Sequence, residues 1–477
     1  MRNISKEAHA LLIKGTLKGK TVEKSVVDKS LRAATLEGAC IGSSNTIINS
    51  YMTPFALALG ATNIQIGLLN SIRSLAETLA QIPGATLTKY SSRKSIWNYS
   101  TLLSKILWIP ILILPLLGNG IFLFISLVAL SHFFASLRNP SWTSLMGDLV
   151  SPEMRGRYFG KRNMIVGVAG LATALIAGNA IALLGFPFIF GVSIVLGFLA
   201  IYFFKDIYES KFQKVYHYSH SISFSPSNLL NTIRINRNFV LLTLFLSLMS
   251  FATNIAAPFF IVYQLRELNI GYGWFTVAIA FNALVALIAQ PYWGKLNDRY
   301  GEKKILAVTS ILVTLSPLVW LFVSTPVAVI LAEGFSGFAF AGFDLTAFNF
   351  ILAVTPAEKR PSYVANHAFF KGIAVVVGAF IGGIAAQHFA KSTFLWLAGL
   401  QIIFLLSLLM RLLALSLIHK IKDAAVRESD VVPVRYILWQ AVAVEPMRGL
   451  SHVMQYATQY PYKIEEIKKK IGKIRIR

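Results

Sequence analysis

In this chain of 477 residues, the side chains with most chemical potential are ionisable groups set inside long apolar stretches. Charge at membrane depth is costly, so each such group is a functional candidate. Asn70, Arg73, Glu77 and Gln81 recur every three or four residues, which places them on one face of a helix. Lys105, in the next apolar run, falls at nearly the depth of Glu77, so Glu77 has two candidate cations, Arg73 and Lys105. That cluster suits a structural or substrate-orienting role better than a proton carrier. In a later run Glu333, Gly337, Phe340, Asp344 and Phe348 share a face. Asp344 and Lys371 lie at equal distances either side of the turn near Ala357 and are expected to pair between two helices. Glu333 has no cation in evident reach and is the first candidate for a protonatable coupling group. The competing reading is a wet carboxylate near a mouth of the bundle.

Amides form a second set. Asn45 and Asn49 fall on one stripe with Gly38, Gly42 and Thr53, and Asn254 sits at similar depth in a later run. From the residues alone they read as interhelical hydrogen bonding among small residues. Glu37, at the end of that stripe, is expected to reach water. Enzymatic signatures are missing: the sequence has no G-x-x-x-x-G-K-[ST] phosphate loop and no H-E-x-x-H pair. Its one cysteine, Cys40, excludes an internal disulfide and reads as a small buried hydrophobe. No cofactor and no metal site is expected.

The elements that must hold these groups are helices in lipid. Hydrophobic residues make up 55% of the chain and charged residues 14%, against about 25% charged in soluble proteins. About twelve apolar runs, from 36–57 to 394–417, are long enough to cross a bilayer. They divide the chain into a basic segment 1–32, a bundle 33–205, a linker 206–237 with a short surface helix, a second bundle 238–417 and a basic tail 418–477 that reads as an interfacial helix or, alternatively, a soluble partner-binding tail. Lysines interrupt every apolar stretch of the first thirty residues, so these are not a secretory signal.

The formal charge of +24 suggests a nucleic-acid binder until its distribution is seen. Basic residues concentrate in alternate loops, and the opposite loops carry only Arg266 and Lys391. That pattern predicts both termini on the cytoplasmic side of a cell membrane, with no nucleic-acid partner and with anionic lipid beneath the basic tails.

The two bundles repeat. Thr53-Pro54-Phe55 returns as Ala257-Pro258-Phe259, and Asn63-Ile64 with Gly67 as Asn269-Ile270 with Gly273. Gln81, Gly84, Tyr90, Arg93 and Lys94 return as Gln290, Gly294, Tyr300, Lys303 and Lys304. Glu153, Arg155, Tyr158 and Gly167 return as Glu358, Arg360, Tyr363 and Gly372. Matches in order at one offset are the mark of two parallel halves.

The segment Gly294-Lys295-Leu296-Asn297-Asp298-Arg299-Tyr300-Gly301-Glu302-Lys303-Lys304 resembles the signature loop of the major facilitator superfamily (MFS), G-x-L-x-D-R-x-G-R-K. Gly294, Leu296, Asp298, Arg299, Gly301 and Lys303 match, and Glu302 departs from it. Gly294 would let two helices approach and Gly301 would allow a tight turn. The resemblance implies an all-α membrane protein of twelve transmembrane helices in two pseudo-symmetric six-helix bundles. It also implies that the first and seventh helices line a central cavity, which would make Asn45, Asn49 and Asn254 substrate contacts, and that Asp298 faces the start of the eleventh helix near Ser362 as a conformational latch. Thr88 stands at the Asp298 position of the first half. An asymmetric latch is therefore expected, with Asp148 or Glu153 pairing with Lys89, Arg93 or Lys94. Arg138 loosely resembles an arginine of proton-linked exporters, but Ser136-Leu137-Arg138-Asn139-Pro140 does not match that motif.

The function so implied is a monomeric secondary transporter of a small solute working by alternating access, with export slightly favoured and proton coupling left open. A transporter-like sensor or assembly protein is the alternative. Deleting the tail would disable a sensor and spare a transporter.

Overall fold

In hydrocarbon no water can satisfy the backbone, so each crossing segment must close its own hydrogen bonds as a helix. The computed structural model describes residues 16–17, 20–21, 24–88, 90–116, 120–151, 154–209, 236–356, 360–394 and 397–423. The expected linker helix, the interfacial tail helix and the pairings of Lys89 and Glu153 lie outside the described residues.

Helix α1 spans Lys24–Ala58. Helix α2, Asn63–Leu87, starts at a capping box in which Thr62 and Gln65 satisfy each other's backbone N–H. Helix α3, Arg93–Ile106, is capped by Ser92 and gives way to a 3-10 stretch, Pro110–Leu116. Helices α4, Ile121–Leu137, and α5, Asn139–Leu149, make one crossing broken at Arg138. Pro140 has no N–H to offer the preceding turn, which is why the break falls there.

Helix α6, Arg155–Phe204, contains two crossings that meet at Gly185, whose φ of 76° and ψ of 178° are not helical. That region of backbone space is nearly glycine-only. Gly185→Ala is expected to cost about 1–3 kcal/mol, read as a lower melting temperature in lipid nanodiscs. An unchanged melting temperature would mean that the kink relaxes freely.

The second half continues with α7, Arg237–Val262, extended by a π turn at Tyr263–Glu267. Then follow α8, Gly271–Tyr300, α9, Glu302–Trp320, α10, Pro326–Val354, α11, Arg360–His388, and α12, Leu400–Leu415.

Among the described residues nine segments are long and apolar enough to cross a membrane. One of them, Arg157–Phe204, holds both crossings of α6. Helices α1 and α2 fall short because they carry the amide and charged stripes, and with them the crossings number twelve. The protein is thus an all-α, multi-pass membrane fold of two six-helix bundles. Packing repeats between them: α2 against α4 is matched by α8 against α10, and α1 against α6 by α7 against α11. The halves join where α2 meets α11 and α6 meets α8. A Cβ on Gly383 would lie 2.9 Å from the Gly67 Cα, so α2 and α11 touch backbone to backbone. Large apolar side chains, including Ile176, Leu183, Ile288, Phe322 and Leu331, are exposed around the outside. They form the belt that lipid covers.

The signature segment is helical rather than a loop up to Tyr300. The reversal is a single residue, Gly301, at φ 86°. The close approach expected at Gly294 is not present: a Cβ there would meet only the Leu345 side chain, at 3.9 Å. Close glycine contacts between α8 and α10 are instead at Gly334 against the Phe281 ring, at Gly337 against the Asn282 backbone, and at Gly342, where a Cβ would lie 2.6 Å from the Trp293 ring.

Candidate functional site

Helices α1 to α5 line a polar, open-sided cavity of about 300 Å³ inside the first half. Helix α1 supplies Asn45 and Asn49, α2 Glu77 and Gln81, α3 Ser104 and Lys105, and α4 Ser131 and His132. Arg138 and Asn139 reach it from the break between α4 and α5.

The Glu77 carboxylate sits 2.8 Å from His132 Nδ1 and 3.7 Å from Arg73 Nε. Arg73 also donates to Asn49 Oδ1 at 3.5 Å. Lys105 is not a partner of Glu77. Its stem crosses Gly197 of α6, where a Cβ would lie 2.6 Å from it, and Nζ donates to Ser44 Oγ at 2.7 Å. Ser44 is tied in turn to Ser193 of α6. The two residues share a depth, but Lys105 points toward α1 and α6 while Glu77 points toward α4. Arg138 is 7% exposed, donates to Thr101 Oγ1 at 3.2 Å and lies 5.7 Å over the Trp97 ring. That ring stacks on Phe204.

Glu37 does not reach water. It is 1% exposed and pairs with Arg162 of α6 at 3.2 Å. Gly38 makes room for this, since a Cβ there would lie 2.7 Å from Arg162 Cζ. Asn70 and Asn254 donate to backbone carbonyls of their own helices, Ile66 and Ser250, and neither lines the cavity.

In the second half Glu333 accepts from Gln264 at 3.1 Å and from Asn282 at 2.7 Å. The expected ion pair between Asp344 and Lys371 is not formed within 4.0 Å, although Lys371 is the charge that acts on Asp344. Asp344 is exposed at the side of α10. At the basic end, Arg93 pairs with Asp148 at 2.6 Å and with Glu209 at 3.1 Å. Glu209 also accepts from the backbone N–H groups of Arg93 and Lys94, which caps the start of α3. Asp298 is exposed on the last turn of α8, and Arg299 lies 5.1 Å over the Tyr300 ring. Lys303 follows Gly301 in the first turn of α9.

Sequence reasoning missed His132, Arg138 and Glu209 as partners. Pro140 was the available signal for Arg138, because a broken crossing exposes its joint. His132 lies in the crossing that packs on α2, but nothing in one sequence pairs those helices.

Comparison with known proteins agrees with this architecture. The Major Facilitator Superfamily profile matches residues 36–287 and again 241–454. A putative proline/betaine transporter of Staphylococcus haemolyticus is 29% identical over 192 residues, 37% of this chain and 39% of that protein. The multi-drug resistance efflux pump PmrA of Streptococcus pneumoniae is 30% identical over 123 residues, 26% of this chain and 31% of that protein. The chain thus spans well under half the length of these relatives. The nucleoside transporter NupG superposes with a TM-score of 0.62 at 13% identity, over 83% of this chain and 98% of that one. A bacterial homologue of the lysosomal transporter Spinster, in an inward-facing and unoccupied conformation, does so at 0.62 and 15% identity, over 83% of this chain and 97% of that one. At such identities these structures speak for the fold alone. With the duplicated bundle, the Gly301 reversal and a profile that spans both halves, the chain belongs to the Major Facilitator Superfamily.

Proposed function

We propose that this protein is a secondary active transporter that carries a small solute by rocking one half against the other. The observation that carries this reading is a polar, charged cavity inside a membrane bundle whose halves meet firmly at one end. At that end Asn63 donates to the Ala386 carbonyl at 3.1 Å, Arg266 donates to the Ala61 carbonyl at 2.7 Å, and Gly67 packs on Gly383. The basic loops support a reading in which the opposite end and both termini lie on the cytoplasmic side of a cell membrane. The conformation is then closed outward. A proline/betaine transporter and an efflux pump among the relatives support transport as the activity. They differ in cargo, so direction is read by assaying both faces.

Coupling is assigned to Glu333. It lies inside the second half among carboxamides, with no basic side chain within 4.0 Å among the described residues. A proton taken there replaces an anion by a neutral group, which makes a state change the cheapest moment to move it. In proteoliposomes with an imposed pH gradient, the wild-type protein should concentrate its solute. Glu333→Gln should let the solute equilibrate without concentrating it. A Glu333→Gln protein that still accumulates solute against its gradient removes Glu333 from this role.

A further inference from the structure

The first-half cavity holds more positive than negative charge. Its charged lining is Lys105 and Arg138 against Glu77, and Arg73, Arg162 and Glu37 stand behind that lining, so these four cations meet two carboxylates with His132 counted neutral. The pairings show which two cations are left over. Glu37 is taken by Arg162, and Glu77 by Arg73 and His132. Lys105 is 1% exposed, and its one hydrogen-bond acceptor among the described residues is the Ser44 hydroxyl. Arg138 has Thr101 Oγ1 and the Trp97 ring, with Glu37 as a distant charge already shared with Arg162. Among the described residues neither has a carboxylate within 4.0 Å. Both line the cavity, and beside them stand the amides of Asn45, Asn49, Gln81 and Asn139.

A buried cation without a counter-charge is a large cost to carry in a fold. Here the cost is met by construction: Gly197 leaves a slot for the lysine stem, and the break at Pro140 delivers the arginine. We propose that the cavity recognises its solute through an oxyanion, a carboxylate or phosphate group held between the Lys105 ammonium and the Arg138 guanidinium, and that its cargo is therefore a small organic anion. This rests on the transport reading above. The guanidinium fork suits either oxyanion. The amides take the polar remainder of the molecule, and about 300 Å³ has room for one of metabolite size.

The test is thermal melting of the purified full-length protein with three sets of probes at millimolar concentration. The anions are succinate, citrate, glycerol phosphate and inorganic phosphate. Their neutral counterparts are succinamide and glycerol, and the cation is spermidine. At least one organic anion should raise the melting temperature and its neutral counterpart should not. Succinate and citrate against glycerol phosphate tells carboxylate from phosphate. Lys105→Met and Arg138→Gln should each weaken the apparent Kd by about thirtyfold or more, and Arg138→Lys should lose less. Lys105→Met without ligand should melt at or above the wild type, because an apolar stem replaces an unpaired charge. A lysine that acted only as a strut would lower it. Gly197→Ala displaces the lysine stem while keeping its charge and should also weaken anion binding.

The proposal is overturned if no organic anion shifts melting, if only neutral compounds, spermidine or inorganic phosphate do, or if the shift survives in both charge variants. Failure of transport reads differently. Anion binding that is lost in the variants, with no flux of that anion in proteoliposomes, counts against the transporter and leaves this site standing. Flux of a neutral or cationic solute that is untouched by Lys105→Met does the reverse.

Discussion

Arg162→Met is expected to destabilise the protein by about 3–5 kcal/mol, the largest single effect on stability that the structure implies. The cause is what remains rather than what is lost. Glu37, 1% exposed on α1, would keep its carboxylate with no cation in contact. The double variant Glu37→Gln with Arg162→Met should recover to within about 1 kcal/mol of the wild type, since replacing both members of a buried pair is near neutral. Denaturant titration in mixed micelles measures all three proteins. If Arg162→Met alone unfolds with the wild type, Glu37 is reached by water and the pair is dispensable.

Gly67→Leu should have the largest effect on conformation. Helices α2 and α11 meet there backbone to backbone, and no side chain fits between Gly67 and Gly383. Overpacking a close contact costs about 1–3 kcal/mol. Applied to one of two conformations, that shifts their ratio by about 5- to 150-fold. The cost falls only on the state in which this end is closed, so the variant should populate the opposite state and transport should fall accordingly. Cys40 is the only cysteine, so a Cys40→Ser background accepts spin labels at two chosen sites. Labels at Thr62 and Gln387, both exposed at this end, should move apart in Gly67→Leu. An unchanged distance distribution would show that the contact does not gate the halves.

The long periodicities were legible in the sequence. Twelve apolar runs, their alternation of basic loops and the repeat of Thr53-Pro54-Phe55 at Ala257-Pro258-Phe259 lead to two six-helix halves. Pairings inside the bundle were not. Counting from a turn fixes how deep a side chain lies but not the direction in which its helix is rotated. Lys105 and Glu77 share a depth and face different helices, and Asp344 and Lys371 share a depth without touching. Glu333 shows the same limit in another form. Absence of a nearby cation was readable, but the carboxamides of Gln264 and Asn282 come from two other helices. Arg138 is marked in the sequence by Pro140, which breaks the crossing beside it, and not by the motif around it.

The apolar belt of Leu183, Ile288, Leu331 and their neighbours fixes what unfolding means for this protein. Lipid satisfies that surface as well as the native contacts do, and it leaves the backbone no solvent but itself. The separated state is then a set of intact helices still lodged in the bilayer, not a hydrated coil. Variants such as Arg162→Met should therefore lose contacts between helices while far-ultraviolet dichroism stays almost unchanged. The quantity that buried pairs and glycine contacts control here is association among preformed rods.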